Sequence, residues 1–527
     1  MRACSSRLFA LAWLAAGAAA CLPRGDPPAG RQIIADRTTV LAGIVPPTGD
    51  GTVRVLVMRS SPDAKASDVY VVSVPSNGAP PSERRLATVE VSFNGICLPG
   101  AGACFVHDAR GRLFFTTNYD QTTGAADVAR IDPVTGDRLD IPGGNYVLSP
   151  SGRRLLAFAM MGRGTVSGAT LYEADDTATV IDGSDVFFMG EDVYYLTAQK
   201  DLMRIVPGGA PQLMASGIAS FGVQAAPLLV MLARPTADPT VNTFSILDPV
   251  TLEETPSPFG SDRFTVSPDG RWLLNVEYNS DFSGSTYTFF DRVTGTEDVW
   301  EVPAAIAGGY EWRPGHDEIW IGDGQAVPPS TVIKKPGVPP VSVAAWMFPL
   351  SDASGGISSS FTRDGVYWFS AISGLEVGHP RIQVGSADDL NAPRFDLVPD
   401  GNLNYAYWQL ADGRILIPTF VRGPTRTDIF VIDPRNGDTR LLGTEGMVTA
   451  VGQTRLLATL HVVDGLGDLT AIELATGRKT ALAPECSVGA VVEPQGADPV
   501  APGAHVAYQF RARFASPYDG IWIATVP

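Results

Sequence analysis

Lysine is nearly missing from this chain. Of 39 cationic residues only Lys65, Lys200, Lys334, Lys335 and Lys479 are lysines, while Asp and Glu number 56, for a net charge of −17. So acidic a protein lacks the clustered cations that a phosphate backbone requires, and nucleic acid is excluded as a partner. The excess of arginine over lysine reads as the codon usage of a GC-rich genome. Charged residues make up 18%, too few for coiled coils or long solvated helices. The apolar run at residues 8–20 covers thirteen positions and falls short of the roughly 20 needed to span a bilayer. No Gly-x-Ser-x-Gly elbow, lysine-bearing phosphate loop or dinucleotide fingerprint occurs. The five histidines (His107, His316, His379, His461, His505) stand singly, without metal-ligand spacing. Asp175-Asp176 and Asp182-Gly183-Ser184-Asp185 lack the alternation of a calcium loop and read as turns. No catalytic residue, metal or cofactor is expected, and the chain is read as no enzyme.

What is present begins with an export signal. Arg2 and Arg7 precede the apolar run, which ends Ala18-Ala19-Ala20-Cys21. Small residues followed directly by cysteine resemble the lipobox of bacterial lipoproteins. That resemblance implies cleavage after residue 20 and acylation of Cys21; Leu22 in the next position implies the outer membrane. An ordinary secretory signal with an incidental Cys21 is the alternative. Residues 21–37 then read as a Pro/Gly-rich tether. Cys97 and Cys104 flank Leu-Pro-Gly-Ala-Gly-Ala, a turn that brings them together, and in an oxidising compartment they are expected to form a disulfide. A metal site is the other reading of that pair. Cys486 is left over and reads as a buried apolar thiol.

Glycine (55) and proline (42) are plentiful and fall in two recurring turns. One is Ser267-Pro268-Asp269-Gly270 or Ser149-Pro150-Ser151-Gly152, with looser copies ending in Gly111, Gly315, Gly365 and Gly413. The other is Asp132-Pro133-Val134-Thr135-Gly136 or Asp433-Pro434-Arg435-Asn436-Gly437, with variants at Asp291, Glu473 and Asp248. Proline presets φ, glycine takes the left-handed position, and the Asp carboxylate accepts backbone N–H groups. Gly136 follows Gly111 by 25 residues, Gly295 follows Gly270 by 25, and Gly437 follows Gly413 by 24. Two hairpin turns per roughly 40–45 residues mean four short antiparallel strands per unit, the period of a propeller blade.

The Ser-Pro-Asp-Gly-Arg-x-Leu-Leu pattern at residues 267–274 resembles the β-propeller repeats of the envelope protein TolB and related bacterial propellers. The resemblance implies an all-β propeller of four-stranded antiparallel blades. Turn signals near 51, 111, 152, 191, 226, 270, 315, 365, 413, 453 and 503 mark eleven units. A single ring usually closes with 4–8 blades, so two tandem propellers are expected, at 38–258 and 259–527, with one large ring as the alternative. The last unit lacks a fourth strand, which residues 38–45 are expected to supply.

Both repeated turns fall on one rim, because the first and third hairpins of a blade point the same way. The opposite rim is expected to carry the variable loops: Asn118-Tyr119-Asp120, Tyr278-Asn279-Ser280-Asp281-Phe282, and the Pro-rich stretch 322–340 with Lys334 and Lys335. Asn118, Tyr119, Asp120, Tyr278, Asn279, Asp281 and Phe282 are the candidate binding residues, since loops on a rigid scaffold commonly carry recognition. The expected function is a lipid-anchored scaffold in the cell envelope that binds an envelope protein or a small ligand. A propeller enzyme of the lactonase, lyase or quinoprotein type, with its site at the central channel, is the alternative.

Overall fold

The structure is a computed structural model. It describes residues 28–60, 66–90, 107–117, 127–141, 144–160, 166–225, 228–238, 241–260, 264–279, 284–302, 309–323, 330–353, 358–372, 381–397, 402–403, 406–420, 427–487, 490–492, 498–511 and 516–527. Among these, every regular element is a β-strand.

The repeated turns do what their residues dictate. In the Ser267–Gly270 turn, Gly270 takes φ 78° and its N–H reaches Ser267 O at 2.9 Å. The Ser267 hydroxyl donates to Asp269 Oδ1 at 2.6 Å and accepts from Trp272 N at 2.9 Å. In the second turn type, Asp132 Oδ1 accepts from Val134 N (2.7 Å) and Thr135 N (3.0 Å), while Gly136 at φ 87° closes the loop. A turn so fixed pairs the flanking strands in one register. The sixth blade is the most regular. Phe264–Val266, Trp272–Tyr278, Ser285–Asp291 and Glu297–Val302 lie side by side in sequence order, all antiparallel.

Eleven such blades follow one another. The second shows three full strands, and a bridge from His107 to Leu113 marks the position of its innermost one. Between the eighth and ninth blades the pattern loosens. There Leu350–Asp352 pairs parallel to Ala406–Gln409, the one parallel pairing among the described strands.

The eleven blades form one ring, which corrects the expectation of two tandem propellers. Each blade buries its two faces against its neighbours, and one apolar cluster fills each interface. At the expected boundary near residue 258 the packing is continuous: Leu229 and Ile246 of the fifth blade meet Phe264, Val266 and Leu273 of the sixth. At the closure, Ile521 and Ile523 of the eleventh blade meet Leu41, Ile44 and Val55 of the first. Each side chain buried this way is worth about 1.5–3 kcal/mol over leaving it in water. A division at 258 would expose two such faces.

The strand that completes the eleventh blade also differs from expectation. Residues 40–44 form the innermost strand of the first blade, and Arg31–Ile34, inside the stretch read as tether, closes the ring against Gly520–Thr525. Gly520 sits at φ 137° there, because a Cβ would lie 1.9 Å from Ile34 O. Cys486 is fully buried beside Tyr508 and Phe510, and burial pushes its thiol up to about 12. Trp320 and Trp368 are likewise blade-packing residues, in contact at 4.9 Å between ring centroids.

Arginines tie the blades together at the rim of repeated turns. Arg84 donates to Pro133 O (2.6 Å), Arg204 to Pro249 O (2.8 Å), Arg440 to Ala475 O (2.6 Å) and Arg31 to Ala79 O (2.7 Å). In each case the guanidinium crosses to a turn of the next blade. A planar fork with five donors suits this task better than the single nitrogen of an ammonium. The arginine excess therefore has a structural use that codon usage alone does not account for.

Candidate functional site

Strand direction places all first and third hairpin turns on one rim and the second hairpin loops on the other. Tyr278 ends its strand on the loop rim, 54% exposed, and Asn279 N donates to Gly284 O at 2.9 Å to close that hairpin. Of the remaining candidates, Asn118, Tyr119, Asp120, Asp281 and Phe282 lie outside the described residues, as do Cys21, Cys97 and Cys104.

The stretch 322–340 is placed differently than expected. Ser330–Lys334 is the third strand of the seventh blade, so Lys335 and the residues after it form a third-hairpin turn on the turn rim. Lys334 is buried, with Nζ bound to Asp298 Oδ2 of the sixth blade (2.6 Å) and to Val338 O (2.9 Å). It is a strut between blades. The sequence alone did not separate this turn from a loop because Lys335-Pro336-Gly337 lacks the Asp and Thr of the other third turns.

That departure opens a cleft of about 320 Å³ between the seventh and eighth blades. Its back is Arg313, 4% exposed, which donates to Gly365 O (2.8 Å), Ala387 O (3.2 Å), Glu318 (3.1 Å) and the Asp388 carboxylate. Glu318 Oε1 also accepts from Trp320 Nε1 at 3.1 Å. Ile333, Val341 and Leu390 supply apolar wall, and His316 and Lys335 stand exposed at the mouth. Neither has a side-chain hydrogen bond among the described residues; His316 faces Asp388 and Lys335 faces Asp317 at longer range. A second cleft of about 630 Å³ lies at the ring closure, between Arg31, Thr48, Ser76 and His505.

On the same rim, Asp317 of the seventh blade meets Asp269 of the sixth. Burial and the neighbouring Asp269 carboxylate push Asp317 up to about 6, and Ser267 and Arg271 N hold Asp269 below its ordinary range. Because the folded value of Asp317 is raised, the stability this group contributes is complete in acid and is lost as pH rises through about 6. Asp317→Asn keeps a donor for Asp269 without the charge. It should raise stability by about 1 kcal/mol at pH 8, the shift of about two units being discounted by more than half for solvent screening. At pH 3, below the ordinary carboxylate value, the gain should vanish. Urea midpoints at both pH values measure this, and an equal gain at both overturns it.

No known protein family and no curated protein matches the chain. Solved structures do. Dipeptidyl peptidase 4 of Porphyromonas gingivalis is 9% identical over 79% of this chain and 65% of that one, with a TM-score of 0.37. The β-propeller domain of the Trilobed protease from Pyrococcus furiosus is 13% identical, over 61% and 95%, at 0.27. TolB from Acinetobacter baumannii is 12% identical, over 63% and 80%, at 0.22. The chain thus spans just under two thirds of the length of the dipeptidyl peptidase. The reading of the chain as no enzyme is withdrawn, because proteins with this fold include peptidases and the fold does not decide between binding and catalysis. That reading rested on missing motifs, and each missing motif excludes one chemistry, whereas propellers accompany many. These likenesses extend to the β-propeller fold and no further.

Proposed function

We propose that the chain is a binding scaffold of the bacterial cell envelope, held at the outer membrane by acylated Cys21, with a Cys97–Cys104 disulfide and with its loop rim turned to an envelope protein or a small ligand. The observation that carries this reading is the segregation of the two rims. Turn tips such as Asp132 and Asp269 spend their carboxylates on their own backbone. Among the described residues, the second hairpin of the sixth blade has no such turn chemistry and leaves Tyr278 half exposed. Binding and catalysis are compatible on such a frame.

Two measurements test it. Cys21→Ser should move the protein from the membrane to the soluble envelope fraction; an unmodified Cys21 in the wild-type mature protein overturns the anchor. Replacing Tyr119, Tyr278 and Phe282 by Ala should lower in-cell crosslinking to its partner at least about tenfold, since anchors of this kind carry about 2 kcal/mol or more each. Thermal stability should hardly move, because Tyr278 packs against little. Loss of crosslinking on charge reversal of the turn tips, with the loop variant intact, overturns the assignment of rims.

A further inference from the structure

We propose that the cleft between the seventh and eighth blades binds the C-terminal end of a peptide whose last residue is apolar. The argument begins with charge. In a chain of net charge −17, the acids lining this cleft are engaged, Glu318 by Arg313 and Trp320 and Asp388 by Arg313, while Asp317 beside the mouth shares a hydrogen bond with Asp269 and faces Lys335 only at longer range. Lys335 and His316 at the mouth are left without a side-chain hydrogen bond among the described residues, so the entrance favours an anion.

The walls select the residue that carries the anion. Ile333, Val338, Val341 and Leu390 line the cleft, and Val338 and Val341 are 46% and 51% exposed there. About 320 Å³ is at the small end of ligand-site volumes, enough for one large aliphatic side chain and its carboxylate. Depth is fixed by the Arg313 hydrogen bonds, which lock the floor so that it does not collapse when empty.

A peptide fits better than a fatty acid because of the sheet edge. Val341–Val343 is the outermost strand of its blade and pairs on one side only, with Ser330–Lys334. Its other edge offers backbone groups to an added strand, and Val341 sits where that strand would enter the cleft. The proposal is independent of the anchor and of the loop rim, since every residue in it lies on the turn rim.

The test uses the soluble Cys21→Ser chain titrated with N-acetyl-Leu-Leu as the free acid, with its C-terminal amide, and with decanoate, read by calorimetry. The acid should bind, the amide about tenfold or more weakly, and decanoate more weakly than the peptide acid. Lys335→Gln should weaken the acid at least about fivefold and leave the amide unchanged, with no change in melting temperature. Leu390→Glu should abolish binding of all three. Equal affinity for acid and amide, decanoate as tight as the peptide, no binding of the acid at 5 mM (about the weakest useful affinity), or an indifferent Lys335→Gln would each overturn the proposal.

Discussion

Gly520→Ala is expected to open the ring at its closure. The glycine sits at φ 137°, a backbone conformation that side chains oppose, and an added Cβ would meet Ile34 O at 1.9 Å and Asp36 N at 3.2 Å. Both obstacles are backbone, so neither can swing aside. Relief comes only by separating Gly520–Thr525 from Arg31–Ile34, which surrenders the pairings Arg31↔Ile523, Gln32↔Trp522 and Ile34↔Ile521. With them goes part of the burial of Ile34, Ile521 and Ile523. Three such side chains at about 1.5–3 kcal/mol each set a loss on the order of 4.5–9 kcal/mol if the seam parts fully. Hydrogen exchange reads this directly. Amides of 31–34 and 520–525 should exchange at least about a hundredfold faster, while those of Leu228–Pro235 and Trp272–Tyr278, at the far side of the ring, keep their protection. Unchanged protection of Arg31–Ile34 would show that this strand is not the closure.

Arg154→Met should be the most costly change among the rim arginines, about 3–5 kcal/mol. The side chain is 2% exposed at the interface of the third and fourth blades. Its Nη2 meets Glu173 Oε1 at 2.7 Å, and its Nη1 donates to Ile205 O at 3.2 Å and to Glu191 O. Removing it strands a largely buried Glu173 and frees carbonyls of the next blade's turns, the situation in which breaking a buried ion pair is severe. Methionine replaces the stem's volume, so the loss is electrostatic and not a cavity. A chain of this length unfolds with an entropy near 1 kcal/mol/K, so a loss of about 4 kcal/mol lowers the melting temperature by about 4 °C. Arg478→Met is the matched control. Arg478 is 71% exposed in its pair with Glu473 and should cost under about 0.5 kcal/mol. Equal effects of the two would show that burial does not decide the strength of these struts.

The candidate sites were less legible than the fold. Tyr278 was found from the sequence because a loop between two β-runs ends in an aromatic, and it is exposed on the loop rim. The cleft at Arg313 was not found. Its parts, Arg313, Lys335 and Asp388, lie 22 and 53 positions apart in sequence, and what joins them is the packing of one blade on the next. Lys334 and Lys335 looked alike as neighbours in a Pro-rich stretch, yet strand pairing buries the first against Asp298 and leaves the second at the cleft mouth. Lys335 and Asp317 face each other only because the two turns share a rim.

By itself the sequence determined the unit. Proline at preset φ, glycine at positive φ and aspartate capping its own turn are local requirements, met within five or six residues, so the four-stranded antiparallel unit and its eleven first-turn positions could be read off. How many units share a ring is not local. It depends on the angle at which one apolar blade face meets the next, summed over every interface, and each blade carries the same turns whichever ring it joins. Only the tertiary structure decided that Leu229 and Ile246 pack onto Phe264 without a break. It likewise decided that Arg31–Ile34, distant in sequence from its partner by almost the whole chain, is the strand that shuts the circle. A short run such as Arg-Gln-Ile-Ile has no periodicity to declare itself a strand, and becomes one because the open edge of Gly520–Thr525 has backbone hydrogen bonds left to satisfy.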